Sequence, residues 1–114
     1  MYSKELLKGT LKTIILKLLS ENDRMYGYQI TQKVKEITEG KINLTEGALY
    51  PALHKLMKEG VLSYEEEFIG KRVRKYYFLT SSGKEQQKAS IVELKDFLMT
   101  LSRVFDQDLK LSIG

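Results

Sequence analysis

The chain has 114 residues, enough for one domain with a buried core and too few for two of ordinary size. Nineteen Lys and Arg against fifteen Asp and Glu leave a net charge of +4 and a pI near 9.2, a balance that suits an anionic partner. The absence of cysteine excludes disulfides and thiolate metal sites, and the single histidine, His54, excludes a two-histidine site within one chain.

The N-terminal stretch MYSKELLKGTLK lacks the basic-then-apolar order of a signal peptide. Leu6, Leu7, Leu11, Ile14, Ile15, Leu18 and Leu19 recur at three-and-four spacing, which predicts a first helix with one broad buried face. Gly9 weakens its start, so its firm part is expected from Thr10. The longest apolar run, TIILKLL, is broken by Lys17 and falls short of a bilayer span. A soluble cytoplasmic protein with no membrane partner is the expectation.

SENDR supplies a turn, and YGYQITQKVKEITEG predicts a second helix from about Gly27. Ile30, Val34 and Ile37 fall on one face of it, and Gly40 is its expected stop. A third helix is predicted from Thr45, whose hydroxyl can cap it, with Glu46 in the first turn where the helix dipole favours negative charge. Leu49, Leu53 and Leu56 form its buried stripe, and Gly60 ends it. Pro51, the only proline, falls inside this helix and leaves the Gly47 carbonyl without its usual donor. The expectation is a bent or loosened first turn that tilts Glu46, Gly47 and Tyr50 outward.

The period then changes. VLSYEEEF and RKYYFLT read as two β-strands, and the charged IGKRVR between them reads as an open hairpin tip, too long for a two-residue turn. A last helix is predicted from about Ser82 to Leu111. Ile91, Leu94, Leu98, Leu101 and Phe105 step by three and four along it, with Phe97, Val104 and Leu111 as a flanking row seven apart. Such a stripe suits packing on the chain's own core or on a second copy; its width favours the second copy.

Three helices, a hairpin and a long helix give a mainly α fold with a small β-hairpin. This is the order of a winged helix-turn-helix, whose third helix enters the major groove and whose wing lies on the backbone. With the leucines inward, Glu46, Gly47, Tyr50, His54, Lys55 and Lys58 face outward, although Glu46 and Glu59 balance the two lysines and an ordinary solvated face has the same pattern. Lys71, Arg72, Arg74 and Lys75 put four positive charges within five residues of the hairpin, more than an edge strand needs to resist aggregation. No catalytic residue set, phosphate-cradling glycine loop or cofactor motif is present. Glu65, Glu66 and Glu67 alternate faces on a strand, so all three cannot converge, and they read as a solvated run.

These segments resemble the PadR family of bacterial transcriptional regulators. LLKGTLKTIILKLL is similar to the family's first helix and MYGYQI to its tyrosine-glycine-tyrosine signature. LTEGALYPALHKLMKEGVL closely matches the recognition-helix motif, and GKRVRKYYFLTSSG is similar to the wing and the turn after it. The resemblance implies a winged helix-turn-helix DNA-binding domain at residues 1–80 and a C-terminal dimerisation helix at residues 81–114. It implies a homodimer on double-stranded operator DNA of pseudo-palindromic sequence, usually as a repressor. Tyr26, Thr45, Glu46, Gly47, Tyr50, Pro51, His54 and Lys55, with Lys71, Arg72, Arg74 and Lys75, are its expected DNA-binding residues. Ile91, Leu94, Phe97, Leu98, Leu101, Val104 and Phe105 are its expected dimer contacts. Some short members bind flat aromatic molecules between interface tryptophans; this chain has none, which counts against that mode, and Phe97, Phe105 or the tyrosines either line a different cavity for a small apolar or aromatic effector or, as such residues more often do, belong to the core. The family wing commonly has a proline where this chain has Val73, so a more flexible tip is expected. A winged helix that docks a protein partner without reading DNA sequence is the alternative function.

Overall fold

A computed structural model describes residues 2–105. Along the chain lie α1 (Lys4–Lys8), α2 (Leu11–Glu21), α3 (Gly27–Ile37), α4 (Glu46–Lys58), β1 (Leu62–Ile69), β2 (Arg72–Leu79) and α5 (Ser81–Phe105). The two strands form one antiparallel hairpin.

The single N-terminal helix expected from the leucine spacing is two helices. Ser3 caps α1 by accepting the Leu6 N–H at 3.4 Å, and the Thr10 hydroxyl then donates to the Leu7 carbonyl at 3.1 Å. A hydroxyl competing for a backbone carbonyl, next to Gly9, interrupts the helix there. Leu6 is consequently exposed, while Leu16, outside the predicted stripe, is fully buried. α2 has α4 and β2 on one side and α5 on another, so it is buried over more than one stripe.

In α3, Ile30, Thr31 and Val34 are buried but Ile37 is exposed, because the helix ends at that residue rather than at Gly40. The Thr38 hydroxyl donates to the Val34 carbonyl at 2.8 Å and accepts the Ile42 N–H at 3.0 Å, closing the end. α4 begins as expected: the Thr45 hydroxyl accepts the Ala48 N–H at 3.2 Å. It runs through Pro51 to Lys58 with Leu49, Leu53 and Leu56 buried. Gly60 then takes a φ of +77°, its N–H bonds the Met57 carbonyl at 3.0 Å and the Val61 N–H bonds that of Leu56 at 3.1 Å. That pair of bonds, with Leu56 and Val61 both buried, is a Schellman stop that favours glycine.

The hairpin tip is tighter than expected. Ile69 pairs with Arg72 and Phe68 with Val73, leaving only Gly70 and Lys71 as the turn. Gly70 supplies the positive φ of 65° that a two-residue hairpin turn requires. The strands therefore extend through the charged stretch that reads as an open loop.

Thr80 joins three elements. Its N–H donates to the Val61 carbonyl at 3.2 Å, its hydroxyl donates to the Gly60 carbonyl at 2.7 Å, and the same oxygen accepts the Gly83 N–H at 3.0 Å, capping α5. α5 then lies along α2. Residues 106–111 of the predicted last helix, Leu111 included, fall outside the described residues. The approach at the start of α5 is close: a Cβ on buried Gly83 would stand 2.0 Å from the Val61 carbonyl oxygen. Backbone cannot move aside as a side-chain end can. Gly83→Ala should therefore destabilise the fold by about 2 kcal/mol despite the better helix propensity of alanine. A urea midpoint equal to or above that of the parent chain would contradict this.

Candidate nucleic-acid interface

The outer face of α4 is open. Thr45, Glu46, Gly47, Pro51, His54 and Lys55 are all exposed. A Cβ on Gly47 would meet only the Thr45 hydroxyl, at 3.9 Å, so a ligand can approach the backbone at this end of the helix. Tyr50 is different. It is only 37% exposed, because its ring lies against the start of α3, where a Cβ on Gly27 would be 2.6 Å from its hydroxyl oxygen. Gly27 is thus the space that lets α3 and α4 approach, and Tyr50 is held by packing while one edge stays in water.

The segment before α3 is sewn to the wing. Met25 and Tyr77 exchange backbone hydrogen bonds at 3.0 and 2.8 Å, a single antiparallel bridge that lays Arg24–Tyr26 beside β2. On the outer face of this sheet, Arg24 donates to Glu65 at 2.6 Å and to Glu67 at 2.9 Å, and lies 4.0 Å above the Tyr76 ring. Tyr76 meets Tyr26 edge to face at 5.5 Å, and the Arg74 guanidinium stacks on Tyr26 at 4.0 Å. Glu65 and Glu67 are therefore not simply a solvated run: two positions apart, they share a face and converge on one arginine. The hydrogen bonds that Arg24 donates to Glu67 and then to Glu65 raise its pKa, and Tyr76 foremost raises that of Arg74. On the other face Lys75 lies 4.8 Å from the Tyr64 ring. There the hydroxyl pKa of Tyr77 is raised, first by burial and then by Tyr50 and Tyr64.

The four wing cations thus divide. Lys71 and Arg72 are free of such neighbours at the exposed tip, whereas Arg74 is half-buried against Tyr26 and Lys75 rests near Tyr64. Between the wing and the helices runs a cleft of about 580 Å³, lined by Tyr26, Tyr28 and Tyr50 on one side and Arg72, Val73 and Lys75 on the other, among others. It brings the exposed edge of α4 and the basic strand to one surface. His54 and Lys55, farther along α4, are not among its lining residues.

The apolar stripe of α5 lies elsewhere. Ile91, Leu94 and Leu101 are half-buried, while Phe97, Leu98, Val104 and Phe105 are exposed. Sequence reasoning missed Arg24, Gly27 and Tyr28. Arg24 reads as part of a turn, and its carboxylate partners are forty-one and forty-three residues away. Gly27 and Tyr28 stand beside Tyr26 in the tyrosine-glycine-tyrosine signature, which is the signal that could have included them.

The family model of the transcriptional regulator PadR-like family matches residues 15–89. Uncharacterized protein X of Lysinibacillus sphaericus is 33% identical over 106 residues, 87% of this chain and 96% of that one. The structure of a transcriptional regulator from Clostridium thermocellum, Cth-833, is similar with a TM-score of 0.83 and 26% identity, covering 90% of this chain and 100% of that chain. Bacillus subtilis PadR in complex with operator DNA is similar with a TM-score of 0.67 and 33% identity, covering 73% of this chain and 46% of that chain.

Because Arg24 ties β1 to the α2–α3 turn, Arg24→Ala should free the wing without unfolding the helices. Hydrogen exchange should rise at amides between Glu65 and Arg74 while the core amides of α2 and α4 stay protected. High salt should reproduce part of that rise in the parent chain. Unchanged exchange in the wing would show that Arg24 does not restrain it.

Proposed function

The chain belongs to the transcriptional regulator PadR-like family, whose members are regulators and not enzymes, and on that premise we propose that it binds a pseudo-palindromic operator as a homodimer and acts as a repressor. The observation that carries this reading is the shared surface of α4 and the wing. Tyr50, on the exposed α4 face that also carries Glu46, Gly47 and His54, lines one cleft with Arg72, Arg74 and Lys75 of the strand, and Lys71 is at the turn. The likeness to Bacillus subtilis PadR, solved with operator DNA, supports it.

In this reading residues 1–80 are the DNA-binding domain. α4 enters the major groove with Tyr50 and His54 toward base edges, while Thr45, Glu46, Gly47, Pro51 and Lys55 position its N-terminal half. Tyr26, Lys71, Arg72, Arg74 and Lys75 meet the backbone. Arg74 combines that role with its stack on Tyr26, so its direction is set before DNA arrives. Residues 81–114 form the dimerisation helix: Phe97, Leu98, Val104 and Phe105, exposed in one protomer, are covered by the second, with Ile91, Leu94 and Leu101 beside them. A small apolar or aromatic effector at that interface would act by binding one spacing of the two α4 helices more tightly than another.

Charged substitutions at Leu98 and Leu101 should give monomers by light scattering and abolish tight operator binding; a fully active monomer would refute the dimer. Replacing Lys71 or Arg72 by Ala should weaken binding to all sequences alike and lower the salt slope by about 0.9 for each phosphate no longer neutralised. Replacing His54 should instead change the order of preference among operators. A protein that binds no duplex better than random DNA at physiological salt would favour a protein-docking role for the same surface.

A further inference from the structure

The wing tip carries apolar side chains that neither the core nor the ion-pair network uses. Phe68 and Val73 face each other across the hairpin and are 79% and 47% exposed, with Ile69 beside them at 44%. One exposed apolar residue needs no explanation, but three at the end of one ribbon make a patch. Lys71, Arg72 and Lys75, all exposed, surround it, with one acidic residue, exposed Glu66, opposite Lys75.

The patch also has a direction. Residues opposite each other in a hairpin share a face, as do residues two apart on one strand. Phe68 and Val73 therefore share the face of Lys75 and of buried Tyr77. Val73, Lys75 and Tyr77 line the cleft across from Tyr50. The apolar pair thus belongs to the same exposed surface as the outer edge of α4.

An apolar ridge rimmed by cations matches the minor groove of a duplex. Sugar rings and base edges there meet apolar side chains, and the phosphates on both rims meet Lys and Arg. Resting on the DNA-binding reading above, the geometry points to Phe68 as a specificity-determining residue. The Phe68–Val73 pair enters the minor groove beside the segment read by α4 and disfavours G·C pairs there. The physical reason is the guanine N2 amino group, which projects into the groove, whereas A·T pairs leave its floor clear. This contribution releases no counterions, which separates it from that of Lys71 and Arg72.

The test starts from duplexes that the parent chain selects out of a random-sequence pool. A·T pairs flanking the major-groove segment are replaced by I·C, which keeps the minor-groove face of A·T but has the major-groove face of G·C, and separately by G·C. The parent chain should tolerate I·C and lose about tenfold in affinity with G·C. Phe68→Ser should bind the unmodified duplex about tenfold more weakly, with an unchanged salt slope and no discrimination between I·C and G·C. Its melting temperature should match the parent's, since Phe68 is exposed. Full affinity and discrimination in Phe68→Ser, equal losses with I·C and G·C, or a lowered salt slope would each overturn this assignment alone. Failure of the parent chain to select any duplex would overturn the DNA-binding reading and this assignment with it.

Discussion

The seam between Met25 and Tyr77 fixes the exposed surface of this protein. Two backbone hydrogen bonds attach the turn before α3 to Tyr77 near the end of β2, three residues before the connection at Thr80. A two-stranded hairpin is marginal by itself in water, and this bridge gives it a place on the helices. The seam also sorts side chains. Met25 and Tyr77 turn into the core, so Arg24, Tyr26 and Tyr76 on either side of them turn out and meet.

From that sorting comes a chain of contacts from Glu65 and Glu67 through Arg24, Tyr76 and Tyr26 to Arg74. Each contact is at the surface and weak alone. Their value lies in direction: a guanidinium stacked on a ring and a carboxylate pair held by one arginine have few other orientations. Gly27 works on the neighbouring side by admitting Tyr50, so the starts of α3 and α4 and the wing meet around one cleft. The tyrosine-glycine-tyrosine signature is thus a packing instruction as much as a binding motif: one ring for the wing, a gap for α4, and one ring left exposed in Tyr28.

Basic charge is spread more thinly over this surface than its count implies. Three glutamates on β1 stand opposite Tyr76, Lys75 and Arg74, and Arg24 occupies two of them. The wing cations without an aromatic or carboxylate neighbour are Lys71 and Arg72, next to an apolar tip.

Much of this was legible in the residues. Leu49, Leu53 and Leu56 at helical spacing identified the buried stripe of α4, Thr45 and Gly60 marked its ends, and the change to alternating, β-branched residues announced the hairpin. Those features follow from local periodicity and backbone preference, which neighbouring residues determine by themselves. The firm start at Thr10 was legible from Gly9, whereas the exposure of Ile37 and the length of the strands were misread, because an early helix end and cross-strand pairing outweighed local pattern. The sequence by itself determined the order of elements, the family and the identity of the charged and aromatic residues. Only the tertiary structure decided which of them meet: Arg24 with Glu65 and Glu67, Arg74 with Tyr26, Tyr50 with Gly27. Those partners are distant along the chain and share no local period, so contact between them exists only once the helices and the wing have packed.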